Sequence, residues 1–231
     1  MSDSEIVKAQ TSIYRQSFRR HGDAPQATHN TGREVQYLRF ERILRHLVPA
    51  KSPCTIHDVG AGLCDLHHYL ADRGVEHTYS ATEVVQEMVD LAREKYPEIS
   101  VRNRDLLSDE PPDRHDFVVL SGVFNIPGDV GRDAWKEFVL RMVTRMYGMA
   151  EVAVAFNFLS SYRTFTDPDL FYMDPAEMLD YCMKHLSRFV VLDQGYPLFE
   201  CTATIFCPEF VEQQYEAGPF GKYFGVTRLE P

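Results

Sequence analysis

Apolar residues near the start of the chain recur at three- and four-residue spacing. In YLRFERILRHL, Tyr37 or Leu38, Phe40, Ile43, Leu44 and Leu47 share one face, and the spacing predicts helices over 4–20 and 34–48. The stretch between them, HGDAPQATHNTG, is polar and turn-rich, hence a loop. From residue 54 the pattern becomes short apolar runs alternating with amphipathic stretches. CTIHDV, HTYSAT, ISVRN, HDFVVLSG and EVAVAFNFL read as five strands. LHHYLADRG, closed by Gly74, VVQEMVDLAREKYP, stopped at Pro97, and residues 132–148 read as helices between them. This alternation predicts a parallel sheet with helices on both faces. The chain's last third differs. After a helix over 175–186, FVVLDQGYPLFECTATIFC holds two β-rich runs joined by a short turn around Gly195 and Pro197. A parallel crossover needs a dozen or more linking residues, so these runs must form an antiparallel hairpin. Residues after 208 read as a polar and aromatic tail.

Composition narrows the classes of function. With 231 residues, 44% of them hydrophobic, the chain can bury one full core, with or without a small lid. A net charge of -10 and a pI near 5.3 disfavour a nucleic-acid or anionic-membrane partner, which would need clustered Lys and Arg. A small-molecule ligand is the expectation. The five cysteines, Cys54, Cys64, Cys182, Cys201 and Cys207, include no CxxC pair, so neither a disulfide framework nor a metal site is expected. No apolar stretch reaches the roughly 18 residues of a membrane span, and MSDSEIVKAQ lacks a signal layout. The expectation is a soluble cytoplasmic protein whose oligomeric state the sequence leaves open. Residues 1–50 carry eight Lys/Arg and five Asp/Glu, a local +3 in an acidic chain. Such a segment is either a solvated helical face or a basic lid over an anionic substrate or cofactor carboxylate.

The chemistry concentrates in TIHDVGAG, residues 55–62, where an apolar run ends in Asp58 and a turn containing Gly60 and Gly62. Glycines there let the backbone approach a bound nucleotide closely. A nicotinamide-binding turn would continue to a third glycine, GxGxxG, but GAGLCD places Asp65 at that position. An acid two residues ahead of the first glycine suits a cationic ligand end and would repel a pyrophosphate.

DVGAG resembles the first motif of class I S-adenosylmethionine-dependent methyltransferases, with Cys64 where that motif has its third glycine. Three further segments resemble the same family. Glu83 in YSATEVVQEM is similar to the acid that holds both ribose hydroxyls, with Val84 and Met88 beside it. Asp105 and Leu106 in VRNRDLL resemble the adenine-binding pair. Ser121 and Gly122 in DFVVLSGVFN stand where the fourth motif lines the methyl-donor end. The resemblance covers roughly residues 33–207 and extends, through FNFLSSY and YMDP, to a group of small bacterial enzymes. It implies a Rossmann-like α/β fold of seven strands in the order 3-2-1-4-5-7-6 and S-adenosyl-L-methionine as cofactor. It implies cofactor contacts from Asp58, Gly60, Ala61, Gly62, Glu83, Val84, Met88, Asp105, Leu106, Ser121 and Gly122. The chain then divides into an N-terminal helical lid (1–50), a catalytic domain (51–208) and a C-terminal tail (209–231).

SGVFN lacks the Asn-Pro-Pro-aromatic signature that resembles base- and glutamine-methylating enzymes, which leaves an oxygen or nitrogen of a small molecule as acceptor, and the basic N-terminal region suggests an anionic one. Candidates to bind it or act as base are His29, Asn157, Tyr162 and Tyr172, with His21, Asn125 and Arg163 behind them. The residues beyond the fifth strand are favoured, because open α/β sheets bind ligands outside the carboxyl ends of their strands. His67 and His68 read as packing or surface residues. Two other readings stay open: a nucleotide-dependent oxidoreductase and a non-catalytic partner subunit with this fold.

Overall fold

The computed structural model describes residues 1–108, 113–215 and 219–224. Two helices lead, α1 (Asp3–His21) and α2 (Arg33–Leu44), joined through a 3-10 turn at Pro25–Thr28. α1 opens with a capping box in which Ser2 and Glu5 satisfy each other's backbone amides. α2 stops four residues short of the span its apolar spacing suggests, and turns carry the chain to residue 50.

Strands and helices then alternate: β1 (Cys54–Val59), α3 (Asp65–Asp72), β2 (His77–Glu83), α4 (Gln86–Lys95), β3 (Ser100–Asn103), β4 (His115–Leu120), α5 (Arg132–Tyr147) and β5 (Ala150–Leu159). After α6 (Pro175–His185) come β6 (Val190–Asp193) and β7 (Glu200–Phe206). The sheet runs β3-β2-β1-β4-β5-β7-β6, parallel except for β7, which is antiparallel to both neighbours. This is the order that the family resemblance implies, with the hairpin that the short connection predicts. One element differs: Pro208–Tyr215 forms a helix, α7, with Phe210 stacked on Phe206, where a tail was expected.

The sheet is buried on both faces, which explains why β4 and β5 are apolar nearly throughout. On one face Phe117, Val119 and Ala155 pack under Phe40 and Ile43 of α2, Leu47 of the turn after it, and Leu66 and Leu70 of α3. On the other, Val118, Val154 and Phe156 pack under Trp135, Phe138 and Val143 of α5 and Ile6 of α1. The order of strands reverses between β1 and β4, so their loops part at the carboxyl edge and leave a crevice there.

Candidate active site

The crevice is two adjoining chambers that share Gln10, Gly60, Glu83, Val84 and Val123. One is closed by Arg104, Asp105, Leu106, Phe138 and Met142; the other by Tyr14, Thr28, Gly62, Met88, Ser121 and Gly122. The landmarks at the ends of β1, β2, β3 and β4 therefore meet in one place. Val7, Gln10 and Tyr14, one helical turn apart on α1, form a roof with Thr28. The roof sits tightly over Gly62, where a Cβ would lie 2.5 Å from Thr28 Cγ2, and Gly60 is packed as closely against the turn after β4, where a Cβ would lie 2.5 Å from Val123 Cγ2. Both glycines also have positive φ, 67° at Gly60 and 57° at Gly62.

Cys64, the departure from the glycine pattern, also adopts the left-handed conformation, with φ 59°. Its thiol is buried, which raises its pKa. Asp65, at the other non-glycine position, opens α3 and accepts a hydrogen bond from Gln36 Nε2 at 2.9 Å, with Arg33 at 3.8 Å. That carboxylate is engaged by α2.

Asp58 is buried at the end of β1 and accepts a 2.6 Å hydrogen bond from the Tyr79 hydroxyl on β2. Burial, reinforced by the nearby Glu83 and Asp65 carboxylates, pushes its pKa up to about 7 despite that bond. A cationic group beside it would restore the ionised form. Glu83 is held differently. Its Oε2 accepts from the Gly62 amide at 2.9 Å, and its Oε1 accepts from the Val84 and Val85 amides at 2.7 and 2.9 Å. Burial raises the Glu83 pKa, against the lowering by those three amides. Asp105 accepts from the Leu107 amide and the Ser108 hydroxyl, which fixes the turn leading out of β3. Ala61 donates its amide to the Thr82 carbonyl, tying the glycine turn to β2.

The acceptor candidates are distributed more widely. Asn157 is wholly buried; its Oδ1 accepts from the Gly122 amide at 2.8 Å and its Nδ2 donates to Glu200 Oε2 at 2.7 Å. It thus supports the turn after β4 from beneath. Glu200 is gripped by Arg39 of α2, whose Nε donates to both carboxylate oxygens at 2.9 and 3.1 Å. Arg39 also donates to Asn30, and Asn30 Nδ2 donates to Thr28 Oγ1 at 3.0 Å. A continuous relay therefore runs from Gly122 through Asn157, Glu200, Arg39 and Asn30 to the roof. Tyr172 is engaged within its own loop, its hydroxyl accepting from the Asp167 amide at 3.0 Å and its ring lying 3.8 Å from the Arg163 guanidinium carbon. Tyr162 is 64% exposed on the loop after β5. His29, in a left-handed conformation after the 3-10 turn, packs edge-on against Tyr14 at 5.2 Å. Desolvation, then the charge of His21, lowers the His29 pKa. Asn125 is buried, and its Oδ1 has no partner among the described residues. His67 packs among Tyr79, Tyr96 and His77, and His68 pairs with Asp72 on the surface. Among the described residues no cluster could hold a metal ion, and no helix is long and apolar enough to cross a membrane.

Gln10, Tyr14 and Thr28 of the roof, Tyr79 beneath Asp58, and the Arg39–Glu200 pair were not anticipated. Gln10 did leave a signal, as a polar residue in register with the apolar face of α1 carrying Ile6.

No protein-family model matches the chain. The Mycobacterium tuberculosis protein named "Putative methyltransferase Rv1506c" is 30% identical over 162 residues, covering 69% of this chain and 96% of that protein. Two solved structures share the fold. The DhpI-SAM-HEP complex superposes with a TM-score of 0.60 at 17% identity, over 86% of this chain and 96% of that one. Magnesium protoporphyrin IX methyltransferase (ChlM) from Synechocystis PCC 6803 with bound SAM gives 0.57 at 14% identity, over 85% and 97%. The chain belongs to the class I S-adenosylmethionine-dependent methyltransferases. That membership sets aside the oxidoreductase reading.

Proposed function

We propose that the protein transfers the methyl group of S-adenosylmethionine to an oxygen or nitrogen of a small, anionic molecule. The observation that carries the donor half is the convergence of Gly60, Gly62, Glu83, Asp105 and Ser121 on one roofed crevice, with Asp58 buried behind the glycine turn at the end of β1. The donor supplies an electrophilic methyl on a sulfonium. Asp58 is assigned to the donor's ammonium, Glu83 to its ribose, Asp105 and Leu106 to its adenine, and Ser121 with Gly122 to its methyl-bearing end. Two solved neighbours, ChlM and DhpI, were captured with SAM, which supports the reading.

Charge pairing supports an anionic acceptor. Of the seven arginines before residue 50, six are matched with acids: Arg15 and Arg19 with Glu87, Arg33 with Asp65, Arg39 with Glu200, and Arg42 and Arg45 with Asp193. Arg20 has no such partner among the described residues and opens onto a cavity with His21, His29 and Gln26. No acid lines that cavity, although the chain is net -10. Tyr14, against which His29 packs, lines the donor crevice. An acceptor carboxylate or phosphonate held there lies next to the crevice, with His29, its pKa lowered by burial, as the base.

Calorimetric titration with S-adenosylmethionine, S-adenosylhomocysteine and NADH tests the donor reading. Micromolar binding of both sulfur compounds and none of NADH is expected. The folded pKa of Asp58 lies above the ordinary carboxyl range, so the stability it contributes is full at low pH and is lost as pH rises toward about 7. Ammonium binding favours the ionised form, so affinity for S-adenosylhomocysteine should rise from pH 5.5 to pH 8. Asp58→Asn keeps an acceptor for Tyr79 and should flatten that rise, separating it from the titration of Glu83. Absence of sulfur-compound binding at every pH overturns the donor assignment.

A further inference from the structure

A carboxylate offers four lone-pair sites. Three of those on Glu83 are taken by the amides of Gly62, Val84 and Val85, two at Oε1 and one at Oε2. One site remains, on Oε2, so Glu83 can receive one hydroxyl and not a vicinal pair. The same crevice holds a polar side chain in the opposite condition. Gln10 is only 5% exposed, and neither Nε2 nor Oε1 of its amide has a hydrogen-bond partner among the described residues. Buried amides are rarely left so, because each unmet group carries the full cost of its desolvation. Gln10 lines both chambers, as Glu83 does, and reaches them from the roof while Glu83 reaches them from the end of β2.

We infer that Gln10 is a donor-binding residue: Glu83 and Gln10 divide the ribose diol between them, one hydroxyl to the free lone pair of Oε2 and the other to the Gln10 amide. The amide can both donate to and accept from a hydroxyl, so its two orphan atoms suit that partner better than a carboxylate or a cation would. The inference rests on the donor reading above. It gives α1 a specific task, since the roof's one buried amide is satisfied only by what lies beneath it.

Gln10→Leu is the test, with melting temperature and calorimetric affinity for S-adenosylhomocysteine measured on the same protein. Leucine removes the orphan amide at similar volume, so the ligand-free protein should melt at the same temperature or higher, while affinity falls at least tenfold. A structural role alone would move both quantities down together. Affinities for the 2′-deoxy and 3′-deoxy forms of the ligand sharpen the result. For the analogue lacking the hydroxyl that Gln10 holds, the variant and the unmodified protein should bind equally. Unaltered affinity in Gln10→Leu, or an equal loss for every analogue, overturns the role of Gln10 and leaves the donor reading standing. Failure of the unmodified protein to bind S-adenosylhomocysteine overturns both.

Discussion

The floor of the crevice and its roof are built on different physical plans. The floor is backbone: strand ends, glycines in left-handed conformations, and Glu83 gathering three amides from its own turn and the neighbouring one. The roof is side chains reaching across the sequence. Arg39 meets Glu200 from 161 positions away, and Arg15 meets Glu87 from 72. A floor of this kind tolerates little, because each group holds a fixed geometry. The roof can exchange its residues in pairs, because a buried ion pair stabilises little beyond an apolar pair of the same shape.

The largest effect should come from the floor. Glu83→Ala leaves three backbone amides without their acceptor and should cost about 3–6 kcal/mol of folding free energy, read by urea denaturation, together with all measurable affinity for S-adenosylhomocysteine. A fully stable Glu83→Ala protein would show that the turn does not depend on this carboxylate.

Next comes the roof. Glu200→Ala strands Arg39, which is 12% exposed at its side chain, and should cost about 3 kcal/mol. Faster hydrogen exchange should appear over residues 25–31. The double substitution Arg39→Met with Glu200→Leu should recover most of the stability. If it does not, the roof is as exacting as the floor and the contrast fails.

The smallest effect belongs to Cys64. At an ordinary position alanine outranks glycine, but at φ 59° the order should invert. Cys64→Gly should be more stable than Cys64→Ala by about 1 kcal/mol, a few degrees in melting temperature. Equal stabilities would mean that the turn relaxes away from the left-handed conformation.

The same contrast explains what could be read from the sequence. The strand–helix alternation, the hairpin and the convergence of Gly60, Glu83, Asp105 and Ser121 were legible because local pattern and position in the fold coincide at the ends of the apolar runs, while the strand order came from the family resemblance. α2 ended early because turns take over at Arg45 despite the apolar Leu47. α7 was missed because it is short and only Phe210, Val211 and Tyr215 are left to mark a face in PEFVEQQY. Asn157, expected just beyond the fifth strand, lies within β5 near its carboxyl end, and its work beneath Gly122 depends on Glu200, 43 residues on. Nothing local marks Arg39 as the partner of Glu200 while Arg20 has no acid partner among the described residues, since both are arginines on amphipathic helices. Only the tertiary arrangement separates them.

The ion pairs that seat the first two helices also set how the protein responds to its solvent. Those of Arg15, Arg19, Arg33 and Arg45 are partly exposed and weaken as salt rises, while that of Arg39 is shielded. Ionic strength thus acts as a graded control on the cover alone, loosening the ends of α1 and α2 while the sheet, held by apolar burial, is left in place.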